Sequence, residues 1–327
     1  LPRNPRIIEG VILRILTGNP FFASCLLSSF LLLAWRWRTR DAAIGWPQIL
    51  FPPLWSVGST FVLGICAGLQ PITLDRYLFA ADGAFGFQAS FAGAQLLLAH
   101  HWLLHTCALC YFNLPVAMTL VYLLLRRSQG ARAASLFVRF AVYLAIAGAA
   151  LYFACPAVGP GGAFPGDFPS RVPRLVSLVP VAMPLAARNC MPSLHTAWIL
   201  CLMWSAPPLG RWFRALLWAF SAFTLLYALS AGGHYLVDLV VAVPFACAIR
   251  LAAHSAWRRP ALAYNAAAVV LWFLLLRYAT GLFTAHIAVP YTLSLLTVLL
   301  PVHRGGDSAP AGLAFIPALA ARTPAGS

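Results

Sequence analysis

The sequence predicts an all-α fold, a polytopic transmembrane helical bundle, and three observations lead there. Of 327 residues, 61% are hydrophobic and only 9% charged, whereas a soluble domain carries about 25% charged residues. The apolar residues come in runs long enough to cross a bilayer, which takes about 20 residues per helix. The basic residues are all arginine, 22 of them against seven acids, and most sit in short connections between the apolar runs. There they set topology and meet anionic head groups. A net charge of +15 would suggest nucleic acid in a soluble protein; placed between spans it does not, and no nucleic-acid partner is expected.

Taken in order, spans are expected near residues 21–35, 49–69, 102–125, 134–154, 192–208, 215–232, 235–256, 262–279 and 285–301. Residues 75–100 carry Asp75, Arg76, Asp82, Gln88 and Gln95, a polarity that suits a helix lying in the interface rather than crossing it. The Gly-, Pro- and Ala-rich tail is expected to be mobile. The chain thus divides into N-terminal membrane segments with an interfacial helix (1–99), a catalytic transmembrane core (100–256), C-terminal transmembrane helices (257–303) and the tail (304–327).

Arginines orient the core. Arg126, Arg127 and Arg132, then Arg211 and Arg214, then Arg250, Arg258 and Arg259 fall on one side if each intervening span crosses once. The positive-inside rule makes that side cytoplasmic. The long loop 155–191 and the turn 231–234 then lie on the opposite, extracytoplasmic face, of a bacterial inner membrane by expectation. In the N-terminal part, Arg3, Arg6 and Arg14 compete with Arg36, Arg38 and Arg40 for the inside.

Most of the eight cysteines lie in apolar runs and read as small hydrophobes. Cys107 and Cys110 form a C-x-x-C with no second pair, a weak metal or redox signal. Cys155 and Cys190 flank one loop and could pair in an oxidising compartment.

One acid stands apart. Asp238 lies within Tyr235-Leu236-Val237-Asp238-Leu239-Val240-Val241, where an unpaired carboxylate costs several kcal/mol, so it marks a functional site. His234 is four residues earlier, one helical turn away on the same face. A carboxylate so placed can accept one imidazole proton, fix the tautomer and aim the other nitrogen outward, which makes a histidine nucleophilic. Ala231-Gly232-Gly233 brings backbone close ahead of it. The second element is Asn189-Cys190-Met191-Pro192-Ser193-Leu194-His195-Thr196. Pro192 and Ser193 suit a helix start whose free N–H groups can hold an anion. His195 stands in its first turn, on the same side of the membrane as His234. His100, His101, His105, His254, His286 and His303 read as structural or interfacial.

These residues resemble a known family. Pro192-Ser193-Leu194-His195 and Gly233-His234-Tyr235-Leu236-Val237-Asp238 are similar to the second and third motifs of the type 2 phosphatidic acid phosphatase superfamily. The variants are closest to its inositol phosphorylceramide synthase-like branch, and the resemblance covers roughly 100–256, including Pro156-Ala157-Val158-Gly159-Pro160. It implies a six-helix phosphatase-like catalytic core acting on a membrane lipid phosphate. His234 would attack phosphorus and form a phosphohistidine, Asp238 would orient it, and His195 would protonate the departing alcohol and then activate water or an acceptor hydroxyl. Transfer of a phospho-alcohol head group, with an acceptor such as inositol, is favoured slightly over plain lipid phosphate or polyprenyl diphosphate hydrolysis. No metal and no cofactor is implied.

The chain departs from the phosphatase pattern at two positions. The lysine of the first motif is missing, and Ala228 stands where an arginine is expected before the third-motif histidine. The phosphate still needs a partner charge. Arg188 is the first candidate, followed by Arg171, Arg174 and Arg277, with Ser193, Gly233 and Tyr235 as further substrate-binding residues. Two rival readings use the same residues: a proton-coupled transporter relaying through Asp238, and a metal site of His195, His234 and Asp238.

Overall fold

The computed structural model describes residues 18–174, 177–183, 186–254 and 260–304. Helix α1 (Pro20–Thr39) starts at Asn19, whose side chain accepts the Phe21 N–H at 3.0 Å. It is followed by α2 (Trp46–Leu69), the two-residue strand β1 (Ile72–Thr73), and the short helices α3 (Asp75–Gly83) and α4 (Ala89–Ala99). Then come α5 (His101–Phe112), α6 (Leu114–Gln129), α7 (Ala131–Ala154) and the single turn α8 (Pro160–Ala163). Strand β2 (Val181–Ala182) pairs antiparallel with β1. The chain continues through α9 (Leu194–Ser205), α10 (Arg211–Ser230), α11 (Leu236–Ala253), α12 (Pro260–Tyr278), α13 (Thr280–Ala285) and α14 (Ala288–Arg304).

The expected helical membrane fold is what is found. Helices α1, α2, α7, α10, α11 and α12 are each long and apolar enough to cross a bilayer. Elsewhere four expectations are corrected: α9 and α14, at the spans expected over 192–208 and 285–301, have only 12 and 17 residues and fall short of the length that crosses a bilayer. The span expected over 102–125 is broken: α5 and α6 meet at 54°, because Pro115 in the first turn of α6 lacks an N–H and bars continuous helix through the preceding residues. Residues 75–100 form two helices of 9 and 11 residues rather than one interfacial helix. Asp75, Asp82 and Gln88 are buried there, not turned to water.

The N-terminal arginine conflict is partly resolved. Asp41, in the α1–α2 connection, bonds the guanidinium of Arg126 at the end of α6 through two hydrogen bonds. This ion pair brings Arg36, Arg38 and Arg40 to the end of the bundle that holds Arg126 and Arg127. Arg3, Arg6, Arg14, Arg258 and Arg259 lie outside the described residues, as does most of the tail. His195 begins α9 and His234 precedes α11, whereas Arg211 and Arg250 lie beyond or near the far ends of those helices. The site and these two arginines therefore occupy opposite ends.

Candidate active site

Two chain reversals build the site. The first is the N-terminus of α9. Ser193 is its N-cap, with a side-chain oxygen that accepts the Thr196 N–H at 3.3 Å and the Thr196 hydroxyl at 3.0 Å. Capping requires Ser193 extended and Leu194 helical, which puts His195 in the first turn as the sequence predicts. The second is the turn from α10 into α11. Gly232 adopts φ +77°, a left-handed conformation that glycine takes without a Cβ penalty. Its carbonyl accepts the Gly161 N–H at 2.9 Å, locking this turn to the start of α8.

Gly159 packs against the same turn. A Cβ there would lie 2.6 Å from the carbonyl oxygens of Gly232 and Gly233, and its φ is +84°. Gly159→Ala is therefore expected to push away the turn that carries His234 and cut turnover at least tenfold. A turnover assay in detergent, alongside a melting curve to count folded protein, checks this.

The structure brings the three leading residues together. The rings of His195 and His234 meet edge-on, with centroids 6.0 Å apart. His234 is 2% exposed and Asp238 fully buried. The expected His234–Asp238 pairing is present but long, with Nδ1 to Oδ2 at 3.5 Å. The shorter contact of Nδ1 is the Cys190 carbonyl oxygen, at 2.8 Å. A carbonyl only accepts, so Nδ1 carries the proton and Nε2 keeps its lone pair. Nε2 lies 3.4 Å from the Ser193 hydroxyl. Asp238 Oδ2 also accepts the Tyr235 N–H and the Cys190 thiol, both at 2.7 Å. Asp238 thus braces the turn as well as the imidazole.

His195 has a partner the sequence did not reveal. Tyr111, at the end of α5, stacks on its ring at 4.1 Å and sets its hydroxyl 3.4 Å from Nδ1. Tyr111 belongs to neither motif; only the fold brings α5 to the mouth of α9.

Two more acids support the site from outside its motifs. Asp82 accepts the N–H groups of Leu236 and Val237, at 2.7 and 3.0 Å, and so caps α11 from another helix. Asp75 accepts the Gly159 N–H at 2.9 Å, the Val158 N–H and the Tyr235 hydroxyl at 3.0 Å. Burial pushes the Asp75 carboxyl up to about 6, its hydrogen bonds holding it lower than burial alone would. Burial likewise pushes Asp82 up to about 8, against the pull of its two N–H donors.

The remaining sequence candidates are placed as follows. Arg188 is fully buried and donates to the carbonyls of Gln70 at 3.1 Å, Ala186 at 2.7 Å and Met183 at 3.1 Å. Arg171 is exposed and paired with Asp167; Arg174 is exposed in the same loop. Arg277 lies over the Tyr77 ring at 5.6 Å. Tyr235 is buried, its hydroxyl on Asp75. Gly233 lies beside the Ala228 carbonyl, at ordinary contact distance for a Cβ. Cys155 and Cys190 do not pair: both thiols are free, the first on Met191 sulfur and the second on Asp238.

Among the described residues, the metal-type cluster is Cys190, His234 and Asp238, with donor atoms within 4.8 Å of one another. It excludes His195, contrary to the rival metal reading. Within it the thiol donates to the Asp238 carboxylate, and Nδ1 of His234 donates to the Cys190 backbone carbonyl.

No curated protein and no solved structure was found to match the chain. A family model, that of the PAP2 superfamily, matches residues 76–252. The match takes in both histidines, Asp238, Tyr111 and Asp82, over more than half of the chain. With that match and six helices among the described residues fit to cross a membrane, this chain belongs to the PAP2 superfamily, as an integral membrane enzyme of phosphatase type.

Proposed function

We propose that the chain cleaves a lipid phosphoester at the extracytoplasmic face of a bacterial inner membrane, through a phosphohistidine on His234. The observation that supports it most is the pair of imidazoles meeting edge-on, centroids 6.0 Å apart, with the Nδ1 proton of His234 held by a carbonyl. Nε2 is then the nucleophile. Its lone pair forms the bond to phosphorus while the phosphorus–oxygen bond to the lipid alcohol breaks. Protonated His195 gives its proton to that leaving oxygen. In the second step His195 takes the proton of an incoming hydroxyl, that hydroxyl oxygen bonds to phosphorus, and the nitrogen–phosphorus bond breaks.

The N-terminus of α9 offers N–H groups to phosphate oxygens, with Ser193 and the Gly233 backbone beside it. Arg171 and Arg174, both exposed, are the cations proposed to swing onto the phosphate, and Arg188 holds the loop that carries them. The missing lysine and Ala228 favour the synthase-like branch. There the group carried on His234 is a phospho-alcohol of inositol-phosphate type and the second hydroxyl belongs to an acceptor alcohol.

Trapping tests the chemistry. Incubation with a lipid carrying labelled phosphate, followed by an alkaline quench, is expected to leave acid-labile label on the wild type and none on His234→Ala. Label on His195 instead would reverse the roles. Parallel assays with water alone and with added inositol or ceramide separate hydrolysis from transfer.

A further inference from the structure

A cavity of about 400 Å³ lies between α1, α2, α6 and α7, with Trp198 of α9 at its wall. Its volume falls in the range of pockets that hold one small ligand. Phe21, Pro52, Met118, Phe137 and Val142 line it. Such walls would leave the polar atoms of a head group without partners. They suit hydrocarbon.

Aromatic rings connect this cavity to the candidate active site. Phe51 stacks on Trp55 at 6.1 Å, Trp55 meets Trp198 edge-on at 6.4 Å, and Trp198 meets the His195 ring at 6.1 Å. From Trp198 the cavity extends to Leu32 and Pro47, towards the end of the bundle that carries the Asp41–Arg126 pair. Trp198 is thus shared between the wall of the cavity and the surroundings of His195. Pro52 contributes to the opening, because an interior proline removes a helical hydrogen bond and its ring crowds the carbonyl of Gln48.

The geometry points to a tail site: this cavity takes one hydrocarbon tail of the lipid phosphate cleaved at His195 and His234. The inference rests on the function proposed above. Helices α1 and α2, which form one side, precede residue 76 and lie outside the superfamily match. One side of the tail site is therefore built by a part of the chain outside that match, and the other side by α6, α7 and Trp198 within it.

Two measurements test this. The first compares kcat/KM for phosphatidates with eight-carbon and eighteen-carbon acyl chains, and for farnesyl and undecaprenyl diphosphate, in the wild type, Ala141→Phe and Ala145→Phe. Both alanines line the cavity. The long-over-short ratio is expected to fall at least tenfold in the variants, for the acyl or the isoprenyl series according to the natural tail; an unchanged ratio in both series overturns the inference. The second uses wild-type protein, so it does not depend on the variants folding. A phosphatidate and a polyprenyl phosphate, each with a diazirine at mid-tail, are photolysed on the full chain in detergent. Label is expected on α1, α2 or α6 residues of the cavity, and label confined to other surfaces overturns it. Labelling of the cavity without turnover of either lipid would leave the tail site standing and sink the proposed reaction instead.

Discussion

His234→Ala is expected to lower phosphate release or transfer from a lipid phosphoester at least a thousandfold. His195→Ala should follow by a hundredfold or more, the usual range for a general acid and base. The two losses are not expected to add, since both act on one phosphoryl group. Asp238→Asn should fall between them. It keeps an oxygen for the Tyr235 N–H but loses the negative charge that balances the imidazole as it becomes cationic. Activity and folded fraction should be measured on the same detergent preparations, because Asp238 also accepts the Cys190 thiol inside a buried turn. Full activity in His234→Ala would end the phosphohistidine scheme.

Asp82→Ala is the second large effect. Its carboxylate accepts two N–H groups at the start of α11. Leaving a buried donor unpaired costs about 1–3 kcal/mol, so the variant should lose about 2–5 kcal/mol and turn over at least tenfold more slowly as the His234 turn loosens. A pH dependence accompanies it. The folded carboxyl of Asp82 titrates near 8, above its ordinary 3.8, so folding favours the protonated form. Its contribution is complete below about pH 4 and is lost as pH rises through 8. Melting temperature should therefore decline across that range in the wild type, and Asp82→Asn, which cannot ionise, should flatten the decline. An identical slope in the two proteins would remove Asp82 as its source.

The residues of the candidate site were easier to read from the sequence than their supports. His195, His234 and Asp238 were legible because helical spacing and the Ser193 cap are local properties of a few adjacent residues. The partners were not. The Nδ1 acceptor of His234 is a backbone carbonyl, which every residue has, so nothing in the identity of Cys190 announces it. Asp75 and Asp82 sit in a short helix whose polarity reads as interfacial. Their burial depends on Val158, Tyr235 and Leu236, which lie 83, 160 and 154 residues further on. Long apolar helices were read within a few residues of their ends. The break at Asn113 was missed because hydropathy does not register a proline-directed change of axis.

The cap that Asp82 places on α11 has a consequence for biogenesis. Asp82 leaves the ribosome long before Leu236 and Val237 exist, so during most of synthesis its carboxylate has no amide to bind and must stay hydrated. The helix holding it therefore has to wait at the lipid–water boundary until α11 has entered the bilayer. Only then can it dock inward. The candidate site closes late in insertion, when its earliest and latest parts meet.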